Sequence, residues 1–183
     1  MSAPPSGVER DFPLARLTTV RTGGDADWFA RPRDAEQLGE LLTWAGAEGL
    51  PIGVIGSGSN LLVADDGFRG LALKLDGELA TVAKDGERLL CGGGARLPSA
   101  AAKAAGWGLS GLEFGVNIPG TVGGARFSAK HANFVENTGA ATTEDVLELM
   151  AAGRRLVHER FGVVLEPEVQ LLGDVHWPEA WQL

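Results

Sequence analysis

Two glycine-rich segments hold most of the residues that could do chemistry. In "VIGSGSNLLV", Gly56, Ser57, Gly58, Ser59 and Asn60 directly follow an apolar run. Two glycines permit positive φ, so successive backbone N–H groups can converge on an anion, and Ser57, Ser59 and Asn60 add side-chain donors. A diphosphate is the natural guest, although a polar turn between strands explains this segment equally well. The second segment, "PGTVGGARFSAKHANF", runs from Pro119 to Phe134. Its first half, with Gly120, Thr121, Val122, Gly123 and Gly124, is a loop of the kind that lets a cofactor approach the backbone. Its second half carries His131 and Asn133. No strand, helix or linker of ordinary length separates the halves. A lone histidine can also simply satisfy backbone groups, and Glu168, in an alternating apolar stretch, reads first as an ordinary solvated carboxylate.

Two familiar phosphate motifs are excluded. No Gly-Lys-Ser/Thr follows the first loop, so it is not a P-loop. Leu61 stands where a dinucleotide fingerprint needs its third glycine, and Asn60-Leu61-Leu62 continues as a strand rather than a helix start.

The totals narrow the class. The chain has 183 residues, 44% of them apolar, enough for one domain or two small ones with a real core. Its 27 glycines cluster without a short period, which points to tight loops. A net charge of −8 gives no electrostatic reason to bind nucleic acid or an anionic membrane. One cysteine, Cys91, excludes an internal disulfide framework and suits a reducing compartment. The N-terminus lacks the apolar core of a signal peptide and no apolar run reaches spanning length, so a cytoplasmic location is expected.

The elements that must position these loops follow from periodicity. Residues 1–13, with three prolines, read as a flexible lead. A helix is expected from Asp34 to about Glu48, with Asp34 as cap, Gln37 at the capping-box position and Leu38, Leu41, Leu42 and Ala45 on one face. "IGVIG" follows as a short buried strand, giving a β-α-β beginning. "LALKL" reads as a strand, and "ATVAKDGERLLCGGG" as a hairpin turning at Asp85-Gly86. "PSAAAKAAG" is a helix capped by Ser99 and stopped by Gly106. A long helix starts at a Thr142/Asp145 capping box, with Val146, Leu149, Met150, Gly153 and Val157 along one face. "VVLEPEVQLL" reads as an edge strand because of Pro167, and residues 174–183 as a tail.

Taken together, "TTVRTGG" (18–24), "GSGSNLLV" (56–63), "GLEFGVNIPGTVGGA" (111–125), "KHANF" (130–134) and "FGVVLEPEV" (161–169) closely resemble the MurB family of UDP-N-acetylenolpyruvoylglucosamine reductases, in the family's order over most of residues 16–172. The resemblance implies an α+β fold of the vanillyl-alcohol-oxidase/MurB type, with two small subdomains around non-covalent FAD. It divides the chain into a lead (1–15), a first subdomain (16–75), a second (76–173) and the tail. It matches Gly56, Ser57, Gly58, Ser59 and Asn60 to the loop on the FAD diphosphate, and Gly120, Thr121, Val122, Gly123 and Gly124 to the loop beside the flavin. Arg21 and Thr22 match a segment near the cofactor, His131 and Asn133 a second FAD-side motif, and Glu168 the family's catalytic glutamate. Asn117 stands where the family has glycine; its tolerance of the left-handed region suits the exchange, and its side chain would crowd the flavin or offer it a hydrogen bond.

The abutting motifs acquire a meaning under this resemblance. In the family a substrate-binding domain lies between "PGTVGGA" and "KHANF"; here one "VGGA", at 122–125, serves both, so about a hundred residues, a domain's worth, are missing. A natural deletion and a deliberate excision leave the same sequence; the clean join favours excision. The family's proton-donating serine, in a Ser-Ala-Gly context, and its carboxylate-binding arginine are missing too, and Ser128 does not replace the serine. The implied function is therefore an FAD-binding module without NADPH-dependent reduction of UDP-N-acetylglucosamine enolpyruvate. The alternatives are a working reductase with rebuilt contacts and an NADPH oxidase or diaphorase with an uncovered flavin.

Overall fold

A computed structural model describes residues 2–124 and 141–182. The elements are β1 (Val8–Pro13), β2 (Asp25–Ala30), α1 (Ala35–Ala47), β3 (Ile52–Val54), β4 (Leu61–Val63), β5 (Phe68–Leu73), β6 (Val82–Asp85), β7 (Arg88–Cys91), α2 (Leu97–Gly106), α3 (Thr143–Phe161) and β8 (Gln170–Leu172). Helices and strands are mixed, as an α+β chain requires, and no described helix is long and apolar enough to cross a membrane.

The main sheet has the order β1-β2-β5-β3; β1 runs antiparallel to β2, while β2, β5 and β3 are parallel. Alternation splits each inner strand between two cores. Trp28 and Ala30 of β2 join Leu71 and Leu73 of β5 beneath Leu41, Trp44 and Ala45 of α1. Phe29 and Ala72 face the other way, onto Leu14, Ile55, Leu61 and Val63. The helix starts where its capping residue places it: the Asp34 carboxylate accepts from Gln37 N at 2.8 Å, and the Gln37 side chain accepts from Arg33 N at 3.1 Å.

β4 leaves this sheet and pairs in parallel with β8, Leu62 opposite Leu171. Above that ribbon α3 buries Val146 and Leu147 together with Leu62, with Met150 packed alongside. The expected capping box is present: Asp145 N donates to Thr142 Oγ1 at 3.1 Å, and Thr142 N to Asp145 Oδ2 at 2.8 Å. Gly162, at φ +67°, ends the helix in the left-handed region that glycine adopts freely.

Several expectations need correction. Residues 8–13 are not a flexible lead but an edge strand paired with β2. "IGVIG" is not a buried strand: β3 closes the sheet edge, with Ile52 and Val54 exposed and Ile55 buried beyond its end. The hairpin turns at Gly86-Glu87, because Asp85 pairs with Arg88. Helix α2 begins two residues before Ser99; Pro98 fits its first turn, and the N-cap is Arg96, without a side-chain cap bond. Leu149 is 54% exposed, so the buried face of α3 runs through Thr143, Val146, Leu147 and Ala151 instead. The stretch before Gln170 is not a strand. Nor is the C-terminal segment a loose tail: Val175 and Trp177 pack on the α3 core, and the Arg154 guanidinium lies 4.7 Å from the centre of the Trp181 ring.

Candidate functional site

The first glycine loop leaves the carboxyl end of β3 and enters β4. Ile55 N bonds Leu73 O at 2.8 Å, which ties the start of the loop to the neighbouring strand. Gly58 is buried at φ +71°, and a Cβ there would lie 1.8 Å from Leu17 O. Its carbonyl accepts from Thr19 N at 3.0 Å, so "TTVRTGG" braces the loop from below. Ser57 Oγ and Ser59 Oγ are 2.9 Å apart, with both residues partly open to solvent. Among the described residues, none accepts a hydrogen bond from the backbone N–H of Ser57, Gly58, Ser59 or Asn60. A run of unpaired amides, one of them in a buried glycine, is the donor arrangement of an anion-binding nest.

The second loop comes to the first. Ser59 Oγ donates to Pro119 O at 2.7 Å. A Cβ on Gly56 would lie 2.7 Å from Thr121 Oγ1, so only glycine lets the two loops approach this closely. Thr121 is buried and bridges Arg96 in antiparallel fashion. Gly123 N donates to Gly93 O at 2.9 Å, and a Cβ on Gly123 would sit 2.9 Å from that oxygen. Val122 packs against Ala95 and Ala100 of the second small core, in which the free Cys91 takes part as an apolar residue. Gly120 and Gly124 flank this contact, Gly120 through a carbonyl that accepts from Leu97 N at 3.0 Å.

The remaining expected residues are placed differently. Thr22 is buried with its hydroxyl 2.9 Å from that of Thr143, a position that ties the first segment to the start of α3. Arg21 is exposed at φ +59°, a conformation that strains a non-glycine residue by about 1 kcal/mol or more. Asn117 ends a 3-10 turn, exposed and without positive φ, so left-handed tolerance is not what its position uses. Glu168 is exposed; its carbonyl accepts from Asn60 Nδ2 at 2.9 Å, and Gln170 N donates to Asn60 O at 3.0 Å. Asn60 thus links the end of the glycine loop to the Glu168 segment. His131 and Asn133 lie outside the described residues.

Two residues not singled out from the sequence also act here. Asp65 receives Thr143 N at 2.9 Å and Glu144 N at 3.3 Å, holding the first turn of α3. Lys74 Nζ donates to Gly56 O at the root of the glycine loop. A carboxylate just past one strand and a lysine at the end of another are visible in sequence, but their partners lie 78 and 18 residues away.

Comparison with known proteins agrees with this architecture. Residues 100–172 match the family model of the UDP-N-acetylenolpyruvoylglucosamine reductase C-terminal domain, MurB_C. UDP-N-acetylenolpyruvoylglucosamine reductase 2 of Symbiobacterium thermophilum is 48% identical over 136 residues, covering 74% of this chain and 42% of that protein. The reductase of Anaeromyxobacter sp. is 29% identical over an alignment of 285 residues, covering 92% of this chain and 90% of the relative. That alignment is longer than this chain's 183 residues, so the relative carries a long stretch with no counterpart here. Among solved structures, UDP-N-acetylenolpyruvylglucosamine reductase (MurB) from Thermus caldophilus is 40% identical, with a TM-score of 0.50, over 64% of this chain and 40% of that one. The chain thus spans about two fifths of the length of the first of these relatives and of the solved structure. By family match and structural likeness, the chain is similar to the MurB reductases over part of their length.

Proposed function

We propose that the chain is a MurB-type FAD-binding module that does not by itself reduce UDP-N-acetylglucosamine enolpyruvate. The observation that carries this reading is the unpaired amide run of Ser57–Asn60, set against Thr121 by Gly56. Amides, hydroxyls and a nearby ammonium suit a diphosphate, and the glycines leave no Cβ between the backbones and the guest. Ser57–Asn60 would hold the diphosphate, and the Thr121–Gly124 loop would lie beside the flavin. With FAD held there, the chemistry available would be hydride transfer, with NADPH as the hydride source. The chain's own part is to bind and orient the cofactor between the 16–75 and 76–173 subdomains.

Reduction of the enolpyruvyl group asks for more. The proton donor, the carboxylate-binding arginine and the enclosing wall belong to the stretch this chain lacks. General acid catalysis alone contributes about 10²–10⁴ in rate, and positioning contributes more. Phe114 and Val116, in the turn leading into the second loop, are 48% and 51% exposed. An open apolar face there favours NADPH oxidation by oxygen as a side activity, since enclosure is what protects a reactive centre.

The test is an absorption spectrum of purified protein, identification of the extracted cofactor, and separate assays of product formation and NADPH loss. A flavin spectrum from FAD, with no substrate-dependent product, is expected. A colourless protein that ignores added FAD would overturn the cofactor reading. Product formation at about 1 s⁻¹ or faster would show that the missing stretch is dispensable.

A further inference from the structure

Helix α3 carries a second apolar stripe, away from its own core. Its buried side runs through Thr143, Val146, Leu147 and Ala151, and Arg154 on that side donates to Trp181 O of the C-terminal segment. At about 100° of rotation per residue, Leu149, Ala152 and Leu156 lie on the opposite side. Leu149 and Leu156 are 54% and 66% exposed. They stand two turns apart, about 10 Å, with Ala152 and Gly153 between them, so the stripe has large ends and a small middle. A Cβ added to Gly153 would meet nothing within 4 Å, so packing inside the chain does not require that glycine.

The charges are ordered along the same helix. Glu144, Asp145 and Glu148 stand in its first half; Arg154, Arg155, His158 and Arg160 stand in its second, with Glu159 the exception. This order suits the helix macrodipole, which accounts for the charges and leaves the two exposed leucines unexplained. Among the described residues, none of Glu148, Arg155 and Arg160 pairs with an opposite charge. Glu148 and Arg155 flank the stripe on one side, each immediately before one of its leucines. Read end for end, the stripe keeps its order of sizes and inverts its charges. That is self-complementarity under a two-fold axis, the requirement of an isologous interface.

We propose that this face of α3 docks on the same face of a second copy of the chain, with the two helices antiparallel. Leu149 of one copy then packs beside Leu156 of the other, and Ala152 and Gly153 let the axes approach. Glu148 of each copy lies beside Arg155 of the other, as flanking charges do in paired helices. A chain of net charge −8 repels its own copies; the antiparallel arrangement sets an acidic half-helix against a basic one and offsets that repulsion locally. One helix face is small against the roughly 1,200 Å² or more that a stable complex buries. The dimer is therefore weak, and its population follows protein concentration.

Sedimentation velocity and light scattering of the full chain, over about a hundredfold range of concentration, test the pairing. The parent should pass from monomer to dimer, and added salt should weaken the dimer. Leu156→Lys should weaken it by about a hundredfold or more, because each dimer loses that leucine twice. Arg155→Glu should weaken it by about tenfold, since each dimer then sets two like-charged pairs face to face. Glu148→Arg combined with Arg155→Glu should restore it. A monomer at every concentration would overturn the proposal. A dimer indifferent to Leu156→Lys would do the same, because its contact lies elsewhere. Failure of the double variant to recover what Arg155→Glu loses would overturn the antiparallel arrangement. A clear drop in the melting temperature of dilute Leu156→Lys would also count against docking, since it would show that the chain itself covers the stripe.

Discussion

Replacing Gly58 with alanine tests the glycine loop at its tightest point. The added Cβ would lie 1.8 Å from Leu17 O, 2.8 Å from Leu17 C and 3.1 Å from Thr18 Cα. All three are backbone atoms, so no side chain can swing aside. Three costs follow. Positive φ in a residue with a Cβ costs about 1–2 kcal/mol, forcing the backbone apart about 1–3 kcal/mol, and loosening the Thr19 N to Gly58 O bond about 1 kcal/mol. These sum to about 3–6 kcal/mol, a large share of the about 5–15 kcal/mol that keeps a domain folded. The cheapest escape is for residues 57–60 to move away from Leu17, which would scatter the unpaired amides. FAD affinity should fall by about a hundredfold or more, at 1.4 kcal/mol per tenfold, with a clear drop in melting temperature. Gly39→Ala is the control: that glycine sits mid-helix in α1, an added Cβ would meet nothing within 4 Å, and the change should stabilise slightly if it does anything. Titration of flavin fluorescence and thermal melts read both effects. If Gly58→Ala matched its parent in affinity and melting, the close approach of residues 17 and 58 and the anion role of the loop would both be refuted.

Asp65→Ala should destabilise the chain by about 1–3 kcal/mol, because the N–H groups of Thr143 and Glu144 lose their acceptor at the start of α3; chemical denaturation measures it, and an unchanged midpoint would contradict it. Asp145 is held below the ordinary carboxylate value by the Thr142 backbone N–H and then by the Thr142 hydroxyl. The unfolded chain therefore binds more protons there, so the stabilisation is fully present above the unfolded value of 3.8 and is lost as pH falls through the folded one. Melting of the parent and of Asp145→Ala should accordingly converge as pH drops below about 4, and a constant gap across that range would be the wrong sign of evidence for the cap.

What was legible in the sequence was local. The start of α1 and the capping box of α3 follow from side chains bonding backbone three residues on, and both are where the spacing puts them. The helix before the second loop misled because Ser99 is a good cap by type, whereas Arg96 is held extended by its bridge to Thr121 and Pro98 fits the first turn. The prolines near the N-terminus suggested a lead, but Pro13 sits at the end of an edge strand, where its missing N–H is not needed. The glycine clusters were readable as close approaches, though not which backbone each approaches: Leu17 for Gly58, Thr121 for Gly56, Gly93 for Gly123. Lys74 was hidden because "LALKL" reads as a plain alternating strand, and only the register of β2 against β5 brings Arg31 beside it. Pairing of β4 with β8 depends on partners more than a hundred residues apart, a distance that no local pattern reports.

The same long-range pairing bears on how binding and chemistry separate in this chain. The stretch from residue 141 onward is tied back at residues 60–65: Asn60 holds Glu168 and Gln170 through backbone groups, Val63 O accepts from Thr143 Oγ1 at 2.6 Å, and Asp65 holds the amides of Thr143 and Glu144. All of these anchors are in the described part of the chain, and all lie within a few residues of the glycine loop. α3 adds Val146 and Leu147 to the same junction by burying them on Leu62. The return of the chain to the loop therefore depends on β4 and its immediate neighbours. A stretch present in the relatives and missing here can be absent without removing the groups that shape the loop. Glu168 illustrates the division: its backbone is fixed to Asn60, while the residue itself is exposed. General acid catalysis needs a proton donor positioned within reach of the reacting atom, so the placement of this carboxylate alone supplies little of it. Cofactor binding should accordingly persist where substrate reduction does not, because the first depends on backbone geometry anchored within 17–74 and 93–123, and the second on groups that geometry does not contain.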